Sequence, residues 1–110
     1  MASVSSSFIS NNHKLYFSKS ELSKILNLYS IGVSKGNWKD YALNFKTNEA
    51  IFSFYKHTLA LPDCTLSKFK EKRKKRIIYF LSITNQNNKK KYMNFDLLIA
   101  SLKRSQISII

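Results

Sequence analysis

Acid is scarce in this chain. Sixteen lysines and three arginines face six aspartates and glutamates, a formal net charge of +13 over 110 residues. Glycine occurs twice, histidine twice, and proline and cysteine once each. Each scarcity excludes something. Two glycines, Gly32 and Gly36, cannot build a glycine-rich phosphate loop. One cysteine, Cys64, rules out a disulfide scaffold. His57, Asp63 and Cys64 are a poor ligand set for zinc, which wants three or four donors at regular spacing. His57 and Cys64, seven residues apart, admit a Cys–His dyad oriented by Asp63, but a buried cysteine beside a surface histidine is the ordinary outcome. No run of about 18 apolar residues exists, so neither a membrane span nor a membrane partner is expected. On this inventory the chain is not expected to be an enzyme, and no cofactor or metal is expected.

Lysine is abundant, and so are asparagine (ten) and isoleucine (eleven), a set that AT-rich codons favour. The same codon bias would also raise aspartate and glutamate, so the charge excess still calls for a partner or a solubility explanation. The hydrophobic share, 44%, suits a small globular domain. Residues 1–14 read as a disordered tail, residues 15–106 as one α+β domain and residues 107–110 as a C-terminal tail. Residues 1–13 are serine-rich. They lack the basic start and apolar stretch of a secretory signal and the arginines of a mitochondrial presequence, so a cytoplasmic location is expected.

Ser18 and Glu21 form a capping box, with Phe17 and Leu22 as a hydrophobic staple across it. Leu22, Ile25, Leu26, Tyr29 and Val33 follow at helical spacing, which predicts a helix over 19–35 stopped by Gly36. From Asp40 the period changes to two. Tyr41, Leu43 and Phe45 alternate with polar positions, and residues 46–49 turn into a second strand from Ala50 to Lys56. Leu61-Pro62-Asp63 breaks the pattern before a third strand, Cys64 to Lys70, with Cys64, Leu66 and Lys68 on one face. Ile77 to Ile83 is apolar except for Ser82 and reads as a central strand covered on both faces. Asn85 to Asn88 turn, and Lys89 to Met93 read as a short edge strand blunted by lysine. Asn94 caps a second helix with the stripe Phe95, Leu98, Ile99 and Leu102. The fold class is therefore α+β: an N-terminal helix, a four- to five-stranded antiparallel sheet and a C-terminal helix.

Three motifs stand out: EL-x-x-IL-x-LY at Glu21, Leu22, Ile25, Leu26, Leu28 and Tyr29; G-x-W-x-DYA at Gly36, Trp38, Asp40, Tyr41 and Ala42; and A-x-FS-x-[FY] at Ala50, Phe52, Ser53 and Tyr55. Together they resemble a small alphaproteobacterial domain-of-unknown-function family. The likeness runs over residues 17–104 and is most specific over 17–68. It implies a cytoplasmic bacterial protein of about this length, and basic relatives with arginine where this chain has lysine. It implies no activity, cofactor or catalytic residue. The chain departs from the family after the fourth strand, where Asn85 to Asn88 replace expected glycines.

Two kinds of partner fit these residues. The first is nucleic acid or a ribonucleoprotein, bound through Lys68, Lys70, Lys72, Arg73, Lys74, Lys75 and Arg76 together with Lys89, Lys90 and Lys91. Seven positive charges in nine residues, against Glu71 alone, would bind phosphates without sequence preference. The two clusters either flank the ends of the 77–83 strand or, if the edge strand folds back, bring Lys91 to its middle. The plain alternative is a solvated loop and an edge strand protected by charge. The order of helix, strands and helix is also that of a double-stranded-RNA-binding domain, although Phe95, Leu97 and Leu98 replace the small residues expected there. The second kind of partner is protein, in a homodimer or an adaptor. Leu28 and Ile31 fall on the back of the first helix with Lys24 and Lys35, and Ile51, Tyr55, Ile78 and Phe80 fall on alternate strand faces. Trp38 and Tyr41, flanking Asp40, read as a structural corner.

Overall fold

Helix α1 (Lys19–Ser34) begins where the capping box places it. Ser18 Oγ accepts from the Glu21 N–H at 3.0 Å, and Glu21 Oε1 accepts from the Ser18 N–H at 2.8 Å. Two donors that a helix start would leave unpaired are thereby satisfied. The helix ends one residue earlier than expected, with Lys35 as its C-cap. Gly36 takes a φ of +77°, the left-handed region that glycine enters without a Cβ penalty, and the chain reverses there. These elements belong to a computed structural model that describes residues 14–57, 61–84, 86 and 89–107.

Five strands follow: β1 (Asp40–Phe45), β2 (Glu49–Tyr55), β3 (Cys64–Lys70), β4 (Ile77–Ile83) and β5 (Lys90–Tyr92). They form one antiparallel meander in chain order, closed by helix α2 (Phe95–Ile107). Asn94 Oδ1 accepts from the Leu97 N–H at 3.2 Å and caps α2 as expected. The fold class and every strand are those read from the sequence, with ends differing by at most one residue. The expected turn at Asn85 to Asn88 lies outside the described residues except for Gln86, and the tails lie outside them except for Lys14 and Ile107.

Both helices pack on the same face of the sheet. Ile25 and Leu28 of α1 meet Leu98 and Leu102 of α2 over Phe52, Phe54, Cys64, Leu66, Tyr79 and Leu81. The expectation for β4 is corrected accordingly. It lies inside the sheet, between β3 and β5, but the central strand is β3. Tyr79 and Leu81 enter the core between sheet and helices, whereas Ile78 and Phe80 point to the opposite face. There Ile78 is nonetheless buried at 2% exposed and Phe80 half-buried, without a helix over them among the described residues.

The placement of Leu28 as an interface residue is also corrected. It is 2% exposed and belongs to the core. The sequence pattern centres the buried stripe on Leu26 and Tyr29, as if α1 rested on the sheet alone. Helix α2 lies alongside α1, so the buried sector rotates to Ile25, Leu28 and Gly32. Leu26 and Val33 are left exposed and Ile31 half-buried. Gly32 is required for a packing reason. A Cβ there would lie 2.2 Å from Cε3 of Trp38, which is itself 1% exposed and stacked on Phe54 at 4.3 Å. Trp38 is thus the structural corner expected of it.

Candidate nucleic-acid interface

The β3–β4 hairpin is where the sequence concentrates its charge. Residues 71–76 close it through the Glu71 N–H to the Arg76 carbonyl at 3.0 Å and the Lys75 N–H to the Glu71 carbonyl at 2.8 Å. Lys75 takes a left-handed φ of 51°, which a side chain beyond glycine adopts only at a cost of about 1 kcal/mol. Arg76 Nε lies 2.5 Å from Glu71 Oε1, so the single acid of the segment is neutralised by its own neighbour. Lys72, Arg73 and Lys74 project into solvent at the tip.

Beside this hairpin lies a cleft of about 450 Å³. Lys70, Lys72 and Lys75 line it from the hairpin side, Thr47 and Asn48 from the β1–β2 turn, and Lys14 and Leu15 from the segment before α1. The Lys70 N–H donates to the Asn48 carbonyl at 2.9 Å, and the Leu15 N–H to the Lys46 carbonyl at 2.8 Å, so backbone hydrogen bonds fix all three walls. Four lysines line it, and the one carboxylate on the lining, Glu71, is already paired. Such a site favours an anion whose oxygens can accept from several lysines together with the Thr47 hydroxyl and the Asn48 amide.

Lys14 lies in the segment that the sequence assigns to the tail, so it is an addition to the expected set. The long-range pairing of Leu15 with Lys46, with the Lys68 hydrogen bond to the next carbonyl, that of Tyr16, brings it here, and no local pattern signals those bonds.

Lys68 is removed from the interface. It stands on the helix-facing side of β3, 9% exposed, and donates to Glu21 Oε1 at 2.8 Å and to the Tyr16 carbonyl at 3.0 Å. The reason is the period-two alternation of a strand, which puts Lys68 on the same face as Cys64 and Leu66. Tyr79 donates its hydroxyl to the other Glu21 oxygen. Burial alone would raise the Glu21 carboxyl. Hydrogen bonds from Lys68, Tyr79 and the Ser18 N–H, with the charge of Lys68, more than offset that and hold it below its ordinary value. Burial first, and the Glu21 hydrogen bond second, push the Tyr79 phenol well above the usual range.

The second lysine cluster divides between two faces. Lys91 pairs with Phe80 at the middle of β4, so the edge strand does fold back. It lies about 10 Å along the strand from Ile77, where the hairpin ends. Lys89 places its ammonium 5.8 Å from the centre of the Phe80 ring, on the open face of the sheet. Half-buried Ile51, Tyr55 and Phe69 share that face. Lys90 pairs with Leu81 instead and borders a separate depression with Arg104 of α2. Thus Lys70, Lys72 and Lys75 come together, Arg73 and Lys74 extend them, Arg76 is committed to Glu71, and Lys89 and Lys91 flank the group.

Cys64 is buried and its thiol pushed up, first by burial and then by the charge of Asp63, the reverse of an activated nucleophile. Asp63 accepts from Trp38 Nε1 at 3.0 Å. His57 is exposed. Among the described residues no group of three or more histidine, cysteine, aspartate or glutamate side chains is placed to hold a metal ion, and no helix is long and apolar enough to cross a membrane.

Residues 15–96 match the family model DUF2794, whose description is "Protein of unknown function (DUF2794)". The match takes in α1, all five strands and the first two residues of α2, and with them every cleft residue except Lys14. No curated protein and no solved structure matches the chain.

Proposed function

We propose, for a chain that belongs to the DUF2794 family of proteins of unknown function, a non-enzymatic role in binding nucleic acid or ribonucleoprotein. The observation that carries this reading is the cleft lined by Lys14, Lys70, Lys72 and Lys75, whose adjoining Glu71 is neutralised by Arg76. Phosphate groups suit it, because several ammonium donors on a backbone-tied frame match an extended polyanion. Arg73 and Lys74 continue the positive surface at the hairpin tip, and Lys89 and Lys91 continue it along the open sheet face. Contacts of this kind are made to phosphates, so binding is tolerant of sequence and falls steeply with salt. The motif resemblance supports a cytoplasmic, alphaproteobacterial setting for this activity.

The test is a pull-down with the purified chain from cell lysate at near-physiological salt, with and without nuclease. The reading predicts that nucleic acid is recovered and that nuclease abolishes the recovery, together with that of any protein riding on it. One protein recovered equally in both arms would overturn it in favour of an adaptor without nucleic acid.

A further inference from the structure

The two edges of the sheet are built differently. β5 is three residues long and carries Lys90 and Lys91, which is how an edge strand is kept from pairing with another chain. β1 is six residues long, Asp-Tyr-Ala-Leu-Asn-Phe, with no lysine, proline or glycine. Among the described residues no strand pairs with its outer side.

The outward groups of β1 follow from its ladder. The Lys46 N–H donates to the Glu49 carbonyl at 2.7 Å, and the register runs from Phe45 opposite Ala50 to Asp40 opposite Tyr55. In an antiparallel ladder inward and outward residues alternate, so Asn44, Ala42 and Asp40 address β2 while Phe45, Leu43 and Tyr41 turn their backbone groups away from the sheet. The Tyr41 N–H agrees, since it donates to its neighbour Asp40 Oδ1 at 2.8 Å rather than to β2. On the helix side of this edge Tyr41 is 41% and Leu43 36% exposed. Tyr29 of α1 meets Tyr41 with ring centres 5.0 Å apart, and the exposed Leu26 and Val33 stand one turn to either side of Tyr29. An apolar strip therefore runs along an edge whose backbone is open from Tyr41 to Phe45, and at its far end Tyr16 packs on the Phe45 ring at 4.9 Å while the Leu15 N–H holds the Lys46 carbonyl.

We infer that β1 pairs antiparallel with β1 of a second copy of this chain, about a two-fold axis at Leu43. A continuous sheet requires paired residues to lie on the same face, so the register must match odd positions with odd. Centring on Leu43 satisfies that along the whole strand. Leu43 faces Leu43 once, on the axis, while Tyr41 faces Phe45, Ala42 faces Asn44 and Asp40 faces Lys46 twice each. The residues so matched at 41, 43 and 45 are those whose backbone groups point outward, so Leu43 exchanges N–H···O=C bonds with its own copy. The charges agree as well: the Tyr41 N–H takes up the partner's carbonyl, which releases the Asp40 carboxylate toward the partner's Lys46. Shifting the axis to Ala42 or Asn44 keeps the parity but loses the pairing of Asp40 with Lys46. Complementarity of the edge with itself selects a second copy over a strand from another protein.

This inference does not depend on the nucleic-acid reading, and salt separates the two. Two chains of formal charge +13 repel, so self-association strengthens as salt screens them, whereas phosphate binding weakens. The experiment is sedimentation equilibrium of the nuclease-treated chain at about 0.1 and about 0.5 M salt. Expected is a monomer–dimer equilibrium, tighter at high salt, whose dissociation constant rises at least about tenfold in Leu43→Lys, which sets like charges against each other at the axis. Circular dichroism of Leu43→Lys checks that the monomer keeps its fold. If that variant fails to fold, Leu43→Cys is the second test: mild oxidation should give a covalent dimer, while Met93→Cys, exposed beyond the opposite edge, should not. A strictly monomeric chain at high salt, a dimer indifferent to Leu43→Lys, or equal cross-linking of the two cysteine variants would overturn it. A monomer would leave the edge to a strand of a different protein.

Discussion

The Lys68 ammonium lies 2.8 Å from Glu21 Oε1, across 47 residues of sequence, and joins the first turn of α1 to the central strand of the sheet. Glu21 thereby serves three partners. It closes the capping box with Ser18, pairs with Lys68 and accepts from Tyr79. Both side chains of the pair are largely withdrawn from solvent, so each depends on the other for its charge to be tolerated there.

Lys68→Met should therefore destabilise the chain by about 3 kcal/mol, because it leaves the Glu21 carboxylate without its counter-ion. The double variant Lys68→Met with Glu21→Gln should recover about half of that loss, since no unpaired charge remains. Urea unfolding followed by circular dichroism measures both. A Lys68→Met variant as stable as the parent would contradict the pairing.

Stability should also fall in acid through Glu21. Its carboxyl is held below the ordinary value of 4.5, so the folded state binds the proton less readily than the unfolded chain. The contribution is complete above the unfolded value and is lost as pH drops through the lower, folded one. Unfolding midpoints taken from about pH 6 to about pH 3 should decline, and Glu21→Gln, weaker at neutral pH, should decline less.

Gly32→Ala tests the seat of Trp38. The added Cβ would meet Cε3 at 2.2 Å, and the indole is held by Phe54 and by its hydrogen bond to Asp63. A gain of about 1 kcal/mol in helix propensity is outweighed by overpacking, for a net loss of about 2 kcal/mol. A lowered thermal midpoint with altered tryptophan fluorescence is expected. An unchanged midpoint would mean that the helix and the indole can part without cost.

Much of the fold is legible in the sequence because local patterns and tertiary packing agree in it. The capping box of Ser18 and Glu21, the change of period at Asp40 and the break at Pro62 each fix a boundary without help from the rest of the chain. Leu28 misleads for a reason of geometry: a single helix on a sheet and a helix flanked by a second one bury different sectors, and the sequence of α1 carries no sign of α2. Lys68 is legible in principle, since its alternation with Cys64 and Leu66 is on view. There the density of charge masks the period of the strand. Lys14 is not legible at all, because its place in the cleft depends on a backbone bond between residues 15 and 46.

The salt dependence of binding to a duplex DNA probe, taken on the intact chain, bears most directly on the cleft. Removing one lysine–phosphate interaction should lower the slope of log K against log salt by about 0.9. Lys72→Gln and Lys75→Gln together should thus reduce it by about 1.8 if each holds one phosphate, while Lys24→Gln, a surface lysine already paired with Asp96, should leave it unchanged. A slope that is the same with and without the two cleft lysines, or that falls equally for Lys24→Gln, would contradict the cleft as the site where phosphate is bound.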